Sequence, residues 1–164
     1  MIQTLSNTTL SLVSMTGIFL ETAIECVDAF FNRKCENAID WDVVERLEGQ
    51  FDLILTIGCA NQNYQGILAI GLEKASVPAF VGGDISEFES RDIFGEFANT
   101  YCAMLMDRPQ FNSRFGILHQ SLPVLYSNGQ PFLPFISGIQ GRVYVDGKWM
   151  YIGFAIQKNY SSSE

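Results

Sequence analysis

The sequence predicts an α/β (α+β) fold in which a mainly antiparallel sheet packs against helices. Segments with helical and strand patterns follow one another in the order helix, strands, helix, strands. Asp146-Gly147 lies between two apolar runs and is a strong signal for a two-residue hairpin. The chain has 164 residues, 48% hydrophobic and 17% charged, which is enough to bury the core of one domain. Helices packed on such a sheet form an α/β sandwich.

The first half of the chain is predicted to contain a long helix and a pair of strands. Apolar residues recur at helical spacing across residues 13–33, with acidic residues largely on the other side. The apolar runs 51–57 and 66–72 flank a polar turn, which favours an antiparallel pair. A short helix is expected over 75–81, and the two glycines that follow should end it.

A second long helix is predicted from Ser86 to about Met106. Ser86 and Glu89 have the spacing of a capping box, and Pro109 lies shortly after the predicted end. Beyond it, strands are predicted over residues 116–126, 141–145 and 149–154.

Charge and composition exclude several classes of protein. The net charge is −8 and the ten basic residues are scattered, so nothing neutralises a phosphate backbone. Nucleic acid and membrane are therefore not expected as partners, whereas a basic protein surface would suit the acidic chain. The four cysteines are widely spaced, and none of them forms a C-x-x-C pair. This spacing argues against a metal site and favours reduced thiols.

One domain is predicted over residues 1–164, in the cytoplasm. The apolar stretch 10–20 is preceded by no positive charge and closely followed by acidic residues, unlike a signal peptide. No segment approaches the roughly 18 unbroken apolar residues of a membrane span. The terminal segments 1–12 and 159–164 are expected to be flexible.

One face of the second long helix carries polar residues in a specific spacing. At about 100° per residue, Asp92, Glu96, Asn99 and Ala103 gather opposite the apolar face. Glu96 and Asn99 are three residues apart, so their side chains are neighbours. Gly95 costs roughly 1 kcal/mol against alanine inside a helix, which suggests close approach of another chain. The alternative reading is an ordinary solvated face.

The stretch from Asp92 to Asn99 resembles the signature of the CheC/CheX phosphatases. That signature has Asp or Ser, three residues, Glu, two residues, Asn, and Pro about twenty-two residues later. Here Pro123 follows Asn99 with twenty-three residues between them. The strand, polar turn and strand over residues 51–72 are also similar to the segment that precedes the signature. The resemblance covers residues 50–157 and implies a CheC-like fold.

The resemblance implies hydrolysis of the phosphoaspartate of a phosphorylated CheY-like receiver domain. Asn99 would orient the attacking water, and Glu96 would dock on the receiver's active-site lysine. Asp92, Gly95 and Ala103 would lie at the contact, with Asp92 either docking or only capping the helix. No cofactor or metal is expected on this chain, because Mg²⁺ would be held by the partner receiver domain.

A single copy of the signature resembles CheX-type members, which pair as homodimers, so a homodimer is expected. Two other interpretations remain. The chain could be a catalytically inactive CheX-like binding module for a receiver or a flagellar-type partner. It could also be a structural oligomerisation domain with no receiver partner.

Overall fold

The structure is a computed structural model that describes residues 6–36, 40–129 and 137–159, with the backbone alone for 125–129. The helices are α1 (Asn7–Phe31), α2 (Val77–Val81), α3 (Glu87–Met106) and α4 (Pro109–Phe115), and a 3₁₀ turn at Lys74–Ser76 precedes α2. The strands are β1 (Asp42–Val44), β2 (Phe51–Ala60), β3 (Tyr64–Leu72), β4 (His119–Gln120), β5 (Val124–Gly129), β6 (Gly138–Val145) and β7 (Lys148–Lys158).

The strands form one antiparallel sheet, which confirms the predicted fold class. Its order is β1-β6-β7-β3-β2, and both β4 and β5 pair with the outer edge of β2. The β2–β3 pair is antiparallel, as its polar turn predicts. Asp146 and Gly147 join β6 to β7 with positive φ angles of 52° and 75°, as a type I′ hairpin requires.

The helices pack on one face of the sheet and enclose the main core. Side chains that alternate along β2, β3 and β7 meet the apolar faces of α1 and α3. A smaller cluster, including Phe51, Ile54 and Tyr151, buries the other face of the central strands. The central strands therefore have buried side chains on both faces of the sheet.

Helix α1 is long and apolar enough to cross a membrane by length and composition alone. Its residues Leu12, Phe19, Ala23 and Val27 are nevertheless completely buried against the rest of the protein. Their spacing marks one apolar stripe on an otherwise mixed helix. This is the pattern of a core helix.

The amino-terminal boundary differs from the prediction. Helix α1 begins at Asn7, where the side chain of Ser6 accepts a hydrogen bond from the backbone N–H of Thr9. Residues 7–12 are therefore helical rather than flexible, because Leu12 is anchored in the core. Residues 1–5 and 160–164, also expected to be flexible, lie outside the described residues.

The prediction of a continuous strand over 116–126 was wrong. Pro109 does not only follow α3 but starts α4, because proline is well suited to the first turn of a helix. Gly116 ends α4 with φ 76°. The strand pairing is then interrupted at residues 121–123, between β4 and β5. Pro123 has no N–H to donate to a ladder, which favours an interruption there.

Candidate functional site

Aromatic contacts with α1 set the rotation of α3 about its own axis. The ring of Phe31 stacks on Phe97 at 5.2 Å and lies 5.4 Å from Phe94. One turn beyond Phe97, the buried hydroxyl of Tyr101 donates a hydrogen bond to the backbone carbonyl of Phe19 at 3.0 Å. Because these residues hold one face of α3 against α1, the opposite face must point away from the core.

The start of α3 shows the half of the predicted capping box that Ser86 supplies. The side chain of Ser86 accepts a hydrogen bond from the backbone N–H of Glu89 at 3.1 Å. Ser90 donates its hydroxyl proton to the carbonyl of Ser86 at 3.0 Å. The cap fixes where the helix begins, and helical geometry then determines the direction in which the later polar residues of α3 project.

The outward stripe of α3, formed by Asp92, Glu96, Asn99 and Ala103, is accessible from solvent. Asp92, Glu96 and Ala103 are exposed, and Asn99 is half-buried. Within the part of the chain that the structure describes, the side chains of Glu96 and Asn99 make no hydrogen bond. An exposed carboxylate and a neighbouring amide thus keep their hydrogen-bonding capacity for a molecule that approaches from outside.

Gly95 differs from its expected role. It is buried, and a β-carbon placed on it would lie 3.8 Å from Cβ of Pro123 and 3.9 Å from a methyl group of Leu55. The expectation that Gly95 is open to an approaching surface is therefore wrong, because the edge of the sheet already covers it.

The segment Ser121–Pro123, here called the 121–123 bulge, lies between α3 and the edge of β2. Cys59 pairs with Gln120, and Thr56 pairs with Val124. Moving from the first pair to the second therefore advances three residues along β2 but four residues along the opposite segment. The one extra residue is the mark of a β-bulge. Ser121 clamps the bulge to Gly58: its N–H donates to the Gly58 carbonyl at 2.8 Å, and its hydroxyl accepts from the Gly58 N–H at 2.9 Å.

The bulge presents a residue that the sequence analysis did not single out. Leu122 has 84% of its surface exposed, although both neighbours are held in place. The sequence Ser-Leu-Pro contained the signal, since a proline inside a strand pattern often marks a bulge. Only the pairing register shows which side chain is turned outward.

The buried thiols of Cys59 and Cys102 are not expected to be reactive. Burial raises the pKa of Cys102 to about 12, an effect that the side-chain amide of Gln120 partly offsets. Burial likewise raises the pKa of Cys59 to about 12. All four cysteines are free, and both thiols are protonated at neutral pH, so they are not activated nucleophiles. The described residues contain no group of three or more His, Cys, Asp or Glu side chains that could hold a metal.

Solved structures share this arrangement of helices and sheet. A CheC-like superfamily protein from Shewanella sp. PV-4 superposes with a TM-score of 0.72 at 15% identity, covering 88% of this chain and 98% of that one. The chain has the CheC-like fold. The resemblance inferred from Glu96, Asn99 and Pro123 is thus confirmed at the level of the fold.

Two further solved structures also superpose on this chain. CheX of Borrelia burgdorferi, in a complex with CheY, BeF3 and Mg²⁺, has a TM-score of 0.60 at 13% identity and covers 85% of this chain and 95% of its own. The middle domain of FliM from H. pylori has a TM-score of 0.64 at 11% identity and covers 92% of each chain. No protein-family model and no curated protein sequence matches this chain.

Proposed function

We propose that this chain is a phosphatase that hydrolyses the phosphoaspartate of a CheY-like receiver domain. The observation that carries the proposal is the placement of Glu96 and Asn99 together on the outward stripe of α3, without internal hydrogen bonds to the described residues. The similarity to a CheX that was crystallised with CheY supports a receiver domain as the partner.

Asn99 supplies what the hydrolysis of an acyl phosphate needs. The bond between phosphorus and the aspartyl oxygen is already reactive, so the catalyst has to align a water molecule rather than provide a nucleophile. A side-chain amide can accept from that water and donate to the phosphoryl group without titrating. The water oxygen bonds to phosphorus as the aspartyl bond breaks, which yields inorganic phosphate and a free carboxylate.

Glu96 positions the two proteins relative to each other. Its exposed carboxylate accepts a charge-assisted hydrogen bond from the lysine of the receiver's active site. Asp92 adds negative charge one turn earlier, and the small exposed Ala103 leaves room beside Asn99. Gly95 contributes through the packing of α3 on Pro123 instead of touching the partner. The Mg²⁺ ion belongs to the carboxylates of the receiver domain.

The proposal is tested with Asn99→Ala. Each purified CheY-like receiver domain of the source organism is phosphorylated with acetyl phosphate, and phosphate release is followed with and without this protein. The wild-type protein should accelerate release, whereas Asn99→Ala should remove the acceleration with an unchanged thermal midpoint. Asn112→Ala, an exposed asparagine on α4, is the matched control and should remain active. Full activity of Asn99→Ala would end the assignment.

A receiver-binding or flagellar-type module is the second candidate, because the middle domain of FliM has the same fold. Such a module would bind its partner and release no phosphate above the spontaneous rate. The phosphate-release assay therefore separates the two functions. In either case we propose that the chain forms a homodimer, and a strict monomer in light scattering would contradict this.

A further inference from the structure

The exposed apolar side chains of the described residues are few, and one stands out. The large ones are Leu10, Val13, Phe88, Ile117, Leu122 and Val124. Leu122 is the most exposed of them at 84%, followed by Phe88 at 71% and Ile117 at 69%. Exposed leucines are common on protein surfaces, so exposure alone assigns no role. The position of Leu122 relative to the proposed reacting groups is what distinguishes it.

Two observations place the segment 120–123 along α3. Near the C-terminal half of α3, the Gln120 amide lies close enough to Cys102 to affect its pKa. Two turns earlier, Pro123 faces Gly95. The chain from 120 to 123 therefore runs antiparallel to α3 from 102 to 95, the stretch of the helix that contains Asn99, and Leu122 is carried on this flanking segment. Phe88 is eleven residues from Asn99, or about 16 Å along the helix axis.

The backbone that carries Leu122 is held on both sides. Ser121 makes two hydrogen bonds to Gly58, at 2.8 and 2.9 Å, and Pro123 packs against Gly95. A leucine on such a support loses little backbone freedom when it binds, which lowers the entropic cost of docking. The side chain itself contributes almost nothing to the core, so its loss should leave the fold intact.

We infer that Leu122 is the apolar anchor through which this protein grips the receiver domain beside the phosphoaspartate. The inference rests on the proposed function and adds a positioning residue to it. The receiver would present an apolar recess adjacent to its active-site lysine, so that Leu122 fills the recess while Glu96 meets the lysine. Apolar contact at the centre with charged groups at the rim is the usual anatomy of a protein interface.

The anchor acts on binding and not on the reaction step. Leu122 touches neither the water nor the phosphorus, and its burial stabilises the ground state and the transition state equally. Leu122→Ala should therefore raise Kd and KM about tenfold and leave kcat unchanged. Leu122→Met keeps the apolar volume and should restore most of the affinity.

The test measures Kd, KM and kcat for the receiver domain whose dephosphorylation is accelerated most. Kd is determined with the beryllofluoride-treated receiver and KM and kcat with the phosphorylated form. Leu10→Ala on α1 is the matched control, because it removes the same side chain from another exposed site. The expected result is a tenfold loss of affinity for Leu122→Ala, rescue by Leu122→Met and no change for Leu10→Ala.

Three outcomes would overturn the inference. They differ in whether the proposed phosphatase function fails as well. If Leu122→Ala binds like the wild type while Asn99→Ala is inactive, the anchor is wrong and the phosphatase stands. If Leu122→Ala dissociates a homodimer without changing receiver affinity, the side chain serves a second copy of this chain. If the wild-type protein neither binds nor dephosphorylates any receiver, the anchor and the proposed function fail together.

Discussion

Pro123 packs on Gly95, with 3.8 Å between the proline Cβ and the position of a β-carbon on the glycine. This contact joins the two halves of the resemblance, the helix with Glu96 and Asn99 and the Ser-Leu-Pro segment, in one structural unit. It also brings the edge of the sheet up to α3 one helical turn before Asn99. The unit contains the proposed reacting amide, the docking carboxylate and the exposed Leu122.

Gly95→Ala should stabilise the protein. A β-carbon would sit at 3.8–3.9 Å from its neighbours, which is ordinary van der Waals contact. Alanine is better than glycine inside a helix by about 0.5–1 kcal/mol. Urea unfolding should show that gain, and Gly17→Ala on α1, where no neighbour lies within 4 Å, should show a similar one. A net loss for Gly95→Ala alone would mean that Pro123 packs more tightly than described.

Glu96→Gln should weaken the complex with the receiver domain. The amide keeps the shape of the side chain but removes the charge that pairs with a lysine. A hydrogen bond to a charged group contributes about 1.5–3 kcal/mol, so Kd should rise roughly 10- to 150-fold. The increase of Kd with salt concentration should also become less steep. Titration at several NaCl concentrations measures both effects, with exposed Glu21→Gln on α1 as control. Unchanged affinity would remove Glu96 from the interface.

Tyr101→Phe should destabilise the fold without affecting turnover. The substitution removes the buried hydroxyl that donates to the carbonyl of Phe19 at 3.0 Å. A buried hydrogen bond of this kind is worth about 1 kcal/mol. Urea unfolding should show a loss of that size, while kcat stays constant because Tyr101 lies on the face of α3 opposite Asn99. A large fall in kcat would show that the inner face takes part in positioning.

Alkaline pH should destabilise the protein through its buried thiols. Burial raises the pKa of Cys26, Cys59 and Cys102 to about 12, above the value of about 8.5 in an unfolded chain. Below pH 8 both states keep these protons. Above about pH 9 only the unfolded state releases them, so the free energy of unfolding falls, by at most about 1.4 kcal/mol per pH unit for each thiol.

Urea unfolding between pH 7 and 11, in the presence of a reductant, measures this dependence. Cys102→Ala removes one of the three groups, so its stability should fall less steeply with pH than that of the wild type. Subtracting the two curves isolates the contribution of Cys102 from other groups that titrate in this range. Parallel curves for the two proteins would contradict the buried position of this thiol.

Local signals in the sequence predicted much of the fold. Ser86 and Glu89 located the start of α3 to within one residue, because a cap depends only on adjacent residues. Asp146-Gly147 located the last hairpin for the same reason. In contrast, α4 was missed because Pro109 was read only as marking the end of the preceding helix. The same proline also fits the first turn of the next.

By itself, the sequence determined that α3 is amphipathic and that Glu96 and Asn99 project together, because helical geometry follows from residue spacing. Only the tertiary structure decided what lies beside that pair. The burial of Gly95 and the outward turn of Leu122 depend on how β4 and β5 align with β2, a register set by contacts between residues distant in the chain. A side chain's neighbours across a sheet edge cannot be derived from helical periodicity, which is why the proposed anchor emerged only from the fold.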